Sequence, residues 1–172
     1  MLVFTDGAWE NQAAGIGPVL IDTATNMRWV LAGEVPQQLL DKWQPLVRDQ
    51  LICQVELYTL VVIRWMFKDF LKERRSLWWV DNDAARCAII KGLSSSPTMR
   101  YLVREFYAFA VEAPSFWWVE RIPSFSNIAD GPSRRKPEEA LNLLKVDRCL
   151  DFQHCPELVN RLLSDQLVTR KG

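Results

Sequence analysis

The sequence predicts an α/β domain on a mixed five-stranded sheet, an antiparallel meander of three strands followed by two strands reached through helical crossovers. Three observations carry this expectation. Apolar, β-prone runs at 2–6, 15–21 and 27–35 are separated only by short, turn-rich stretches, as in a meander. Two more apolar runs, at 77–80 and 116–122, each follow a long helical pattern, as crossover-fed strands do. No internal repeat or low-complexity segment interrupts the pattern.

Leu2-Val3-Phe4-Thr5 forms the first strand, which ends at Asp6, and Gly7 permits a tight turn behind it. In the second, Gly15, Gly17 and Pro18 make an irregular start before Val19-Leu20-Ile21. Asp22 to Asn26 supplies turn residues, and 27–35 alternates as the third strand. Residues 36–49 connect, with a helical turn around Leu39 and Leu40. Asp49 is placed to cap a helix over 50–72, whose apolar stripe of Leu51, Val55, Tyr58, Val62, Trp65 and Met66 recurs every three or four residues. Basic residues over 68–75 suit its C-terminal end, where the macrodipole favours cations. Leu77-Trp78-Trp79-Val80 is continuously apolar, which predicts a strand covered on both faces and ending at Asp81. A helix over 82–91 stops at Gly92, and Pro97 opens another that Pro114 ends. After the strand at 116–122, 123–133 reads as a loop and Pro137 begins the C-terminal helices.

At 172 residues the chain fits one domain, here 1–146, with a helical appendage over 147–172 whose Leu158, Leu162 and Leu163 could pack on this domain or on a neighbouring one. A domain of this size buries roughly 70% of its unfolded surface, so it needs neither a disulfide nor a metal to fold. The 49% hydrophobic content excludes global disorder. Lys plus Arg equals Asp plus Glu at 21 each, so a phosphate-binding surface would be a local patch. The four cysteines show no CxxC spacing; Cys53 and Cys87 fall in helical patterns and read as buried thiols. Cys149, His154 and Cys155 lack the fourth ligand and regular spacing of a structural zinc site. The tryptophan pairs Trp78-Trp79 and Trp117-Trp118 read as sheet-covering core, with Trp9, in the loop after Asp6, placed for substrate contact. No apolar run is long enough to span a bilayer, so the expectation is a soluble intracellular protein with no membrane partner.

Acidic residues at strand ends carry the chemistry. If the strands ending at Asp6 and Asp81 are adjacent and parallel, both carboxylates meet in the crevice beyond the carboxyl ends of the sheet. Glu56 sits among Val55, Leu57 and Tyr58 on the long helix, an awkward place for a charge unless it faces a partner. Carboxylates gathered at one point repel one another, and a divalent cation resolves this; oxygen-only ligands favour Mg²⁺ or Mn²⁺ over zinc. Each residue alone also has an ordinary explanation. Asp6, Asp81 and Asp130 could be turn formers or caps, and Glu56 a partly exposed helix carboxylate.

Their joint placement resembles the ribonuclease H family. Val3-Phe4-Thr5-Asp6-Gly7-Ala8 with Ala14-Gly15-Ile16-Gly17 looks like that family's opening strand pair, Gln54-Val55-Glu56-Leu57-Tyr58 like its Glu-Leu helix motif, and Trp79-Val80-Asp81-Asn82 like its second strand-end aspartate. Ile122-Pro123-Ser124 followed by Asn127-Ile128-Ala129-Asp130-Gly131-Pro132-Ser133-Arg134 is similar to the final motif of retroelement ribonuclease H domains, and is the most specific block. The resemblance implies helices on both faces of the sheet and hydrolysis of the RNA strand of an RNA–DNA hybrid. It implies two Mg²⁺ ions, with Mn²⁺ as substitute, held by the catalytic and metal-ligating residues Asp6, Glu56, Asp81 and Asp130. Asp6 would be the bridging ligand and Asp130 would complete the second site. Gly7, Asn82, Asn127, Arg134 and Arg135 are the expected substrate contacts, Asn82 being equally placed to cap its helix. A reverse transcriptase domain, in cis or in trans, is the protein partner this implies.

Two features depart from the family. The loop 123–129 has no histidine, the one histidine being His154, and the serine-rich linker 92–97 replaces a basic protrusion. Substrate grip would then fall to Arg134, Arg135 and Lys136, with Arg100 and Arg104 in support. A DNA-directed nuclease of the same superfamily, and a catalytically weak or inactive nucleic-acid-binding module, are the alternative readings.

Overall fold

The computed structural model describes residues 1–11, 13–47 and 51–164. Asp49, expected to cap the long helix, lies outside them, and that helix starts from Leu51 with no side-chain cap. Among the described residues the sheet has eight strands where five were expected, because the first two are broken and a two-residue strand near the C-terminus adds to it. β1 (Leu2–Thr5) and β2 (Gly7–Glu10) are separated by Asp6 alone, and β3 (Ala13–Ile16) and β4 (Val19–Ile21) by Gly17 and Pro18. The breaks face each other, since the Gly17 N–H donates to the Asp6 carbonyl at 3.0 Å. Such an irregularity re-aims a side chain, and the one re-aimed here is Asp6. Trp9, expected in a loop, lies in β2 and is partly buried on the core.

β5 (Arg28–Glu34) closes the meander against β3 and β4. After α1 (Gln37–Trp43) and a single 3₁₀ turn, α2 (Ile52–Met66) and α3 (Lys68–Leu71) cross to β6 (Arg75–Val80), which pairs in parallel with β1. The register Thr5 with Val80 brings Asp6 and Asp81 to the same level at the sheet's carboxyl edge. α4 (Asp83–Lys91) and α5 (Pro97–Glu112) then lead to β7 (Phe116–Arg121), parallel to β6.

α2 is the centre of the molecule. Instead of one apolar stripe, every residue from Gln54 to Arg64 is buried. A helix buried all round must be covered on its outer side as well as by the sheet. α4, α5 and the segment after residue 150 supply that cover. β8 (Leu150–Asp151) adds to the free side of β5, and α8 (Pro156–Ser164) packs Leu158 and Leu162 into the main core. His154 Nδ1 lies 2.9 Å from the Tyr58 hydroxyl, and Lys42 Nζ donates to the Leu162 and Leu163 carbonyls at the end of α8.

The other face of the sheet is covered over β4 and β5 by α6 (Asp130–Ser133) and α7 (Glu138–Leu144). That cover does not extend to the β7 edge, which corrects two expectations. β6 alternates between buried and half-buried residues instead of being covered on both faces. Trp118, read as core, is 67% exposed, and Phe116 beside it 74%, because alternate residues of this edge strand project to the side without a helix. Cys53 and Cys87, read as buried thiols, are half-buried: Cys53 lies in the first turn of α2, and Cys87 on α4 beside the buried positions Ala85, Ala88 and Ile89. No helix among the described residues is long and apolar enough to cross a membrane.

Candidate active site

Three carboxylates meet at the carboxyl edge. Asp6, Glu56 and Asp81 each offer an oxygen within 4.8 Å of the others, and no other group of this kind occurs among the described residues, so Cys149, His154 and Cys155 form no metal cluster. Strand ends position Asp6 and Asp81, while α2 brings Glu56 across the top of the sheet. Gly7 makes that approach possible. A Cβ on it would lie 2.9 Å from both the Glu56 nitrogen and Val55 Cγ1, so no other residue lets β2 sit so close to α2. Gly7 is thereby buried, and its N–H bonds to the Glu56 carboxylate, so packing takes up a residue expected at the substrate.

The cluster carries more negative charge than its surroundings offset, Arg134 acting on Asp6 more weakly than burial and the neighbouring carboxylates do. Asp6 and Glu56 are both 3% exposed. Burial, with Asp81 and Asp130 nearby, pushes the Asp6 carboxyl up to about 7, against the hydrogen bond from Ser133 that pulls it down. Burial, with Asp6 and Asp81 beside it, also holds Glu56 well above its ordinary value. Glu56 Oε2 and Asp81 Oδ1 are buried and have no hydrogen-bond partner among the described residues. Stripping a carboxylate of water costs several kcal/mol unless a cation or donors replace it. Convergent, acceptor-only oxygens fit one kind of occupant, a hard divalent cation.

Asp130 stands outside this tight group. It opens α6, and its side chain is 40% exposed, accepting a 3.0 Å bond from Arg134 Nε one helical turn on. Its charge is balanced locally, which is why it is not drawn in with the other three. Arg134 also pairs with Glu10 of β2, and Arg135 pairs with Glu34 at the end of β5. Asn82 takes the capping role, its Oδ1 accepting from Ala85 N–H at 2.9 Å. Asn127, another expected substrate contact, is 5% exposed and turned inward. Its Nδ2 donates to the Thr5 carbonyl at 3.0 Å and lies 3.5 Å from Asp6 Oδ1, while its Oδ1 accepts from Ala129 N–H.

Two features were missed from the sequence. Ser133 is buried and donates to Asp6 Oδ2. Its spacing of three from Asp130 was a signal, since a serine there returns its hydroxyl to the Asp130 carbonyl, here at 2.8 Å. Phe125 stands 92% exposed on the loop before Asp130. Beside it a groove of about 510 Å³ is lined by Asp130, Arg134, Lys136, Glu139 and Leu143.

No family model and no curated protein matches the sequence. Solved structures do. Ribonuclease H1 of the halophilic archaeon Halobacterium salinarum aligns with a TM-score of 0.59 at 15% identity, over 82% of this chain and 96% of that one. The N-terminal ribonuclease H domain of a Mycobacterium tuberculosis protein gives 0.57 at 14% identity, over 83% and 96%. A ribonuclease H1 isolated from compost by a metagenomic approach, in complex with an RNA/DNA hybrid, gives 0.53 at 19% identity, over 81% and 98%. The chain is similar to these in fold: a ribonuclease H-like sheet with helices on both faces.

Proposed function

We propose, from the ribonuclease H-like fold and the carboxylates on it, that the chain is a metal-dependent endonuclease hydrolysing the RNA strand of RNA–DNA hybrids. The observation that carries this reading is the trio Asp6, Glu56 and Asp81, the first two buried and the third half-buried, with oxygens within 4.8 Å of one another and Glu56 Oε2 and Asp81 Oδ1 left unpaired. The hybrid bound by the compost enzyme of the same fold supports the substrate. The block from Pro123 to Arg134 supports the retroelement type, with a reverse transcriptase as partner in cis or in trans.

Asp6, Glu56 and Asp81 would hold one divalent ion, and Asp130 with Asp6 a second; Mg²⁺ or Mn²⁺ suits the all-oxygen set. Bound there, the ions would activate the attacking water and stabilise charge on the leaving oxygen. The chain's own residues do the rest. Asp6, anchored between two broken strands, fixes the centre of the site, and Glu56 is held by the Gly7 N–H. Arg134, paired with Asp130 and Glu10, would be the nearest cation for substrate phosphates were Asp130 to hold a metal ion, and Lys136 lines the groove beside it. A second reading, a weak or inactive binding module, draws on one observation: Arg134 and Arg135 are both tied to carboxylates.

One assay tests these readings. Wild type and Asp81→Asn are incubated with labelled RNA–DNA hybrid, duplex DNA and single-stranded RNA in Mg²⁺ or Mn²⁺. Cleavage of the hybrid RNA by wild type alone is expected. Cleavage of duplex DNA instead moves the activity to a DNA-directed nuclease, and binding without any cleavage leaves the module.

A further inference from the structure

We infer that Ser133 is a positioning residue for Asp6: its buried hydroxyl fixes the orientation of the carboxylate at the centre of the site and thereby sets the site's affinity for metal. The inference rests on the reading of Asp6 as a metal ligand and goes beyond it, to a residue with no ligand role of its own. It makes the last motif of the chain more than a source of Asp130.

Three sets of contacts carry it. The first is the clamp on Asp6. Ser133 Oγ bonds to Oδ2, and Asn127 Nδ2 approaches Oδ1 at 3.5 Å while gripping the Thr5 carbonyl just before it. Both partners arrive from 121 to 127 residues away in sequence, so local chain geometry does not impose the arrangement. The second is the proton count. A serine hydroxyl has one hydrogen and here faces two acceptors, Asp6 Oδ2 and the Asp130 carbonyl at 2.8 Å. As a metal ligand Asp6 would be ionised and so the stronger acceptor of the two, and it would take the hydrogen. The third is the seat beneath Ser133. A Cβ on Gly17 would lie 2.1 Å from the Ser133 nitrogen, and one on Gly15 would lie 1.9 Å from its carbonyl oxygen. The backbone of α6 therefore rests directly on the broken β3–β4 strand, and Ser133, 1% exposed, has no room to turn away. The hydroxyl thus reaches Asp6 from a backbone seated directly on the sheet.

Groups that orient a metal ligand from behind are worth about 10–100-fold in metal affinity. The test is calorimetric titration of the full chain with Mn²⁺, which needs no nuclease activity. Ser133→Ala is expected to weaken Mn²⁺ binding by about 10–100-fold. Ser76→Ala serves as the control: it also removes a buried hydrogen bond, 2.9 Å from Trp78 Nε1, at the opposite end of β6. It is expected to lower the melting temperature without changing Mn²⁺ affinity. If Ser133→Ala does not fold, Ser133→Thr and Ser133→Val form an isosteric pair differing in the hydroxyl, and the threonine variant binds Mn²⁺ more tightly. Equal affinity of Ser133→Ala and wild type, or of the threonine and valine variants, overturns the inference. A wild type that binds Mn²⁺ with this dependence on Ser133 but cleaves no nucleic acid overturns the proposed function and leaves the positioning role standing.

Discussion

Two buried aspartates stand at opposite ends of the same strand pair, and the protein treats them oppositely. Asp22 follows β4 where it pairs with the start of β1, and Asp6 follows the end of β1. Asp22 accepts from Arg74, from the Thr25 hydroxyl at 2.8 Å and from the Ala24 N–H at 3.0 Å. Hydrogen bonding to Arg74, then to Thr25, holds its carboxyl well below the ordinary range. Asp6 has one hydroxyl donor and a distant amide, and two further carboxylates close by, so burial raises it to about 7. A carboxylate buried to hold the fold together brings its own cation. One buried to bind something leaves that place to a ligand. Burial alone does not distinguish the two, and their neighbours do.

The largest effect should come from asking each end to do the other's work. Glu56→Gln removes one member of the trio, and several kcal/mol of metal stabilisation correspond to about a 10³-fold loss of hybrid cleavage. Asp22→Asn should leave the turnover of the folded protein unchanged, as measured by initial rates normalised to folded fraction. Thermal melts of metal-free protein should show the reverse order. Asp22→Asn is expected to lower the melting temperature, because it strips Arg74 of its partner. Asp6→Asn is expected to hold or raise it, because it removes one charge from a cluster whose negative charge is only partly offset and keeps an acceptor for Ser133.

The smaller effect is in pH. A carboxyl raised by folding holds its proton more tightly in the folded state, so its stabilising contribution is complete below its unfolded value and is lost as pH rises through the folded one. For Asp6 that window runs from 3.8 to about 7, and Glu56 adds to it in the same direction. Asp22, held low, acts with the opposite sign: its contribution is present above 3.8 and is lost as pH falls further. Metal-free wild type should therefore lose melting temperature between pH 4 and 7 relative to Asp6→Asn, measured by calorimetric scans in chelator. A Mn²⁺ concentration a hundredfold above its dissociation constant should restore about 2.7 kcal/mol at the upper end of that range. A wild type and Asp6→Asn that track each other in parallel would contradict the account of the cluster.

The site end was legible in the sequence where it rests on local rules. Asp6 and Asp81 were readable because strands end at both and helical crossovers make the strands parallel. Glu56 was readable because a charge among Val55, Leu57 and Tyr58 demands a partner. What was not legible depends on backbone meeting backbone across the fold. Gly17 looked like an untidy strand start, yet it marks where α6 lies on the sheet. Asn127 looked like a surface contact and is a buried clamp. Asp130 was expected within bridging reach, but a local pairing with Arg134 keeps it outside the trio. Trp118 read as core because composition says nothing of which strand ends the sheet or which face a short α7 leaves uncovered.

The central claim is that the trio is a divalent-metal site, and diffraction from crystals soaked in Mn²⁺ tests it most directly. Anomalous difference density is predicted among the Asp6, Glu56 and Asp81 carboxylates, with a second peak beside Asp130 once Arg134 has left it. Density confined to surface carboxylates such as Glu10 or Asp83, with the trio bare and protonated, would contradict the account.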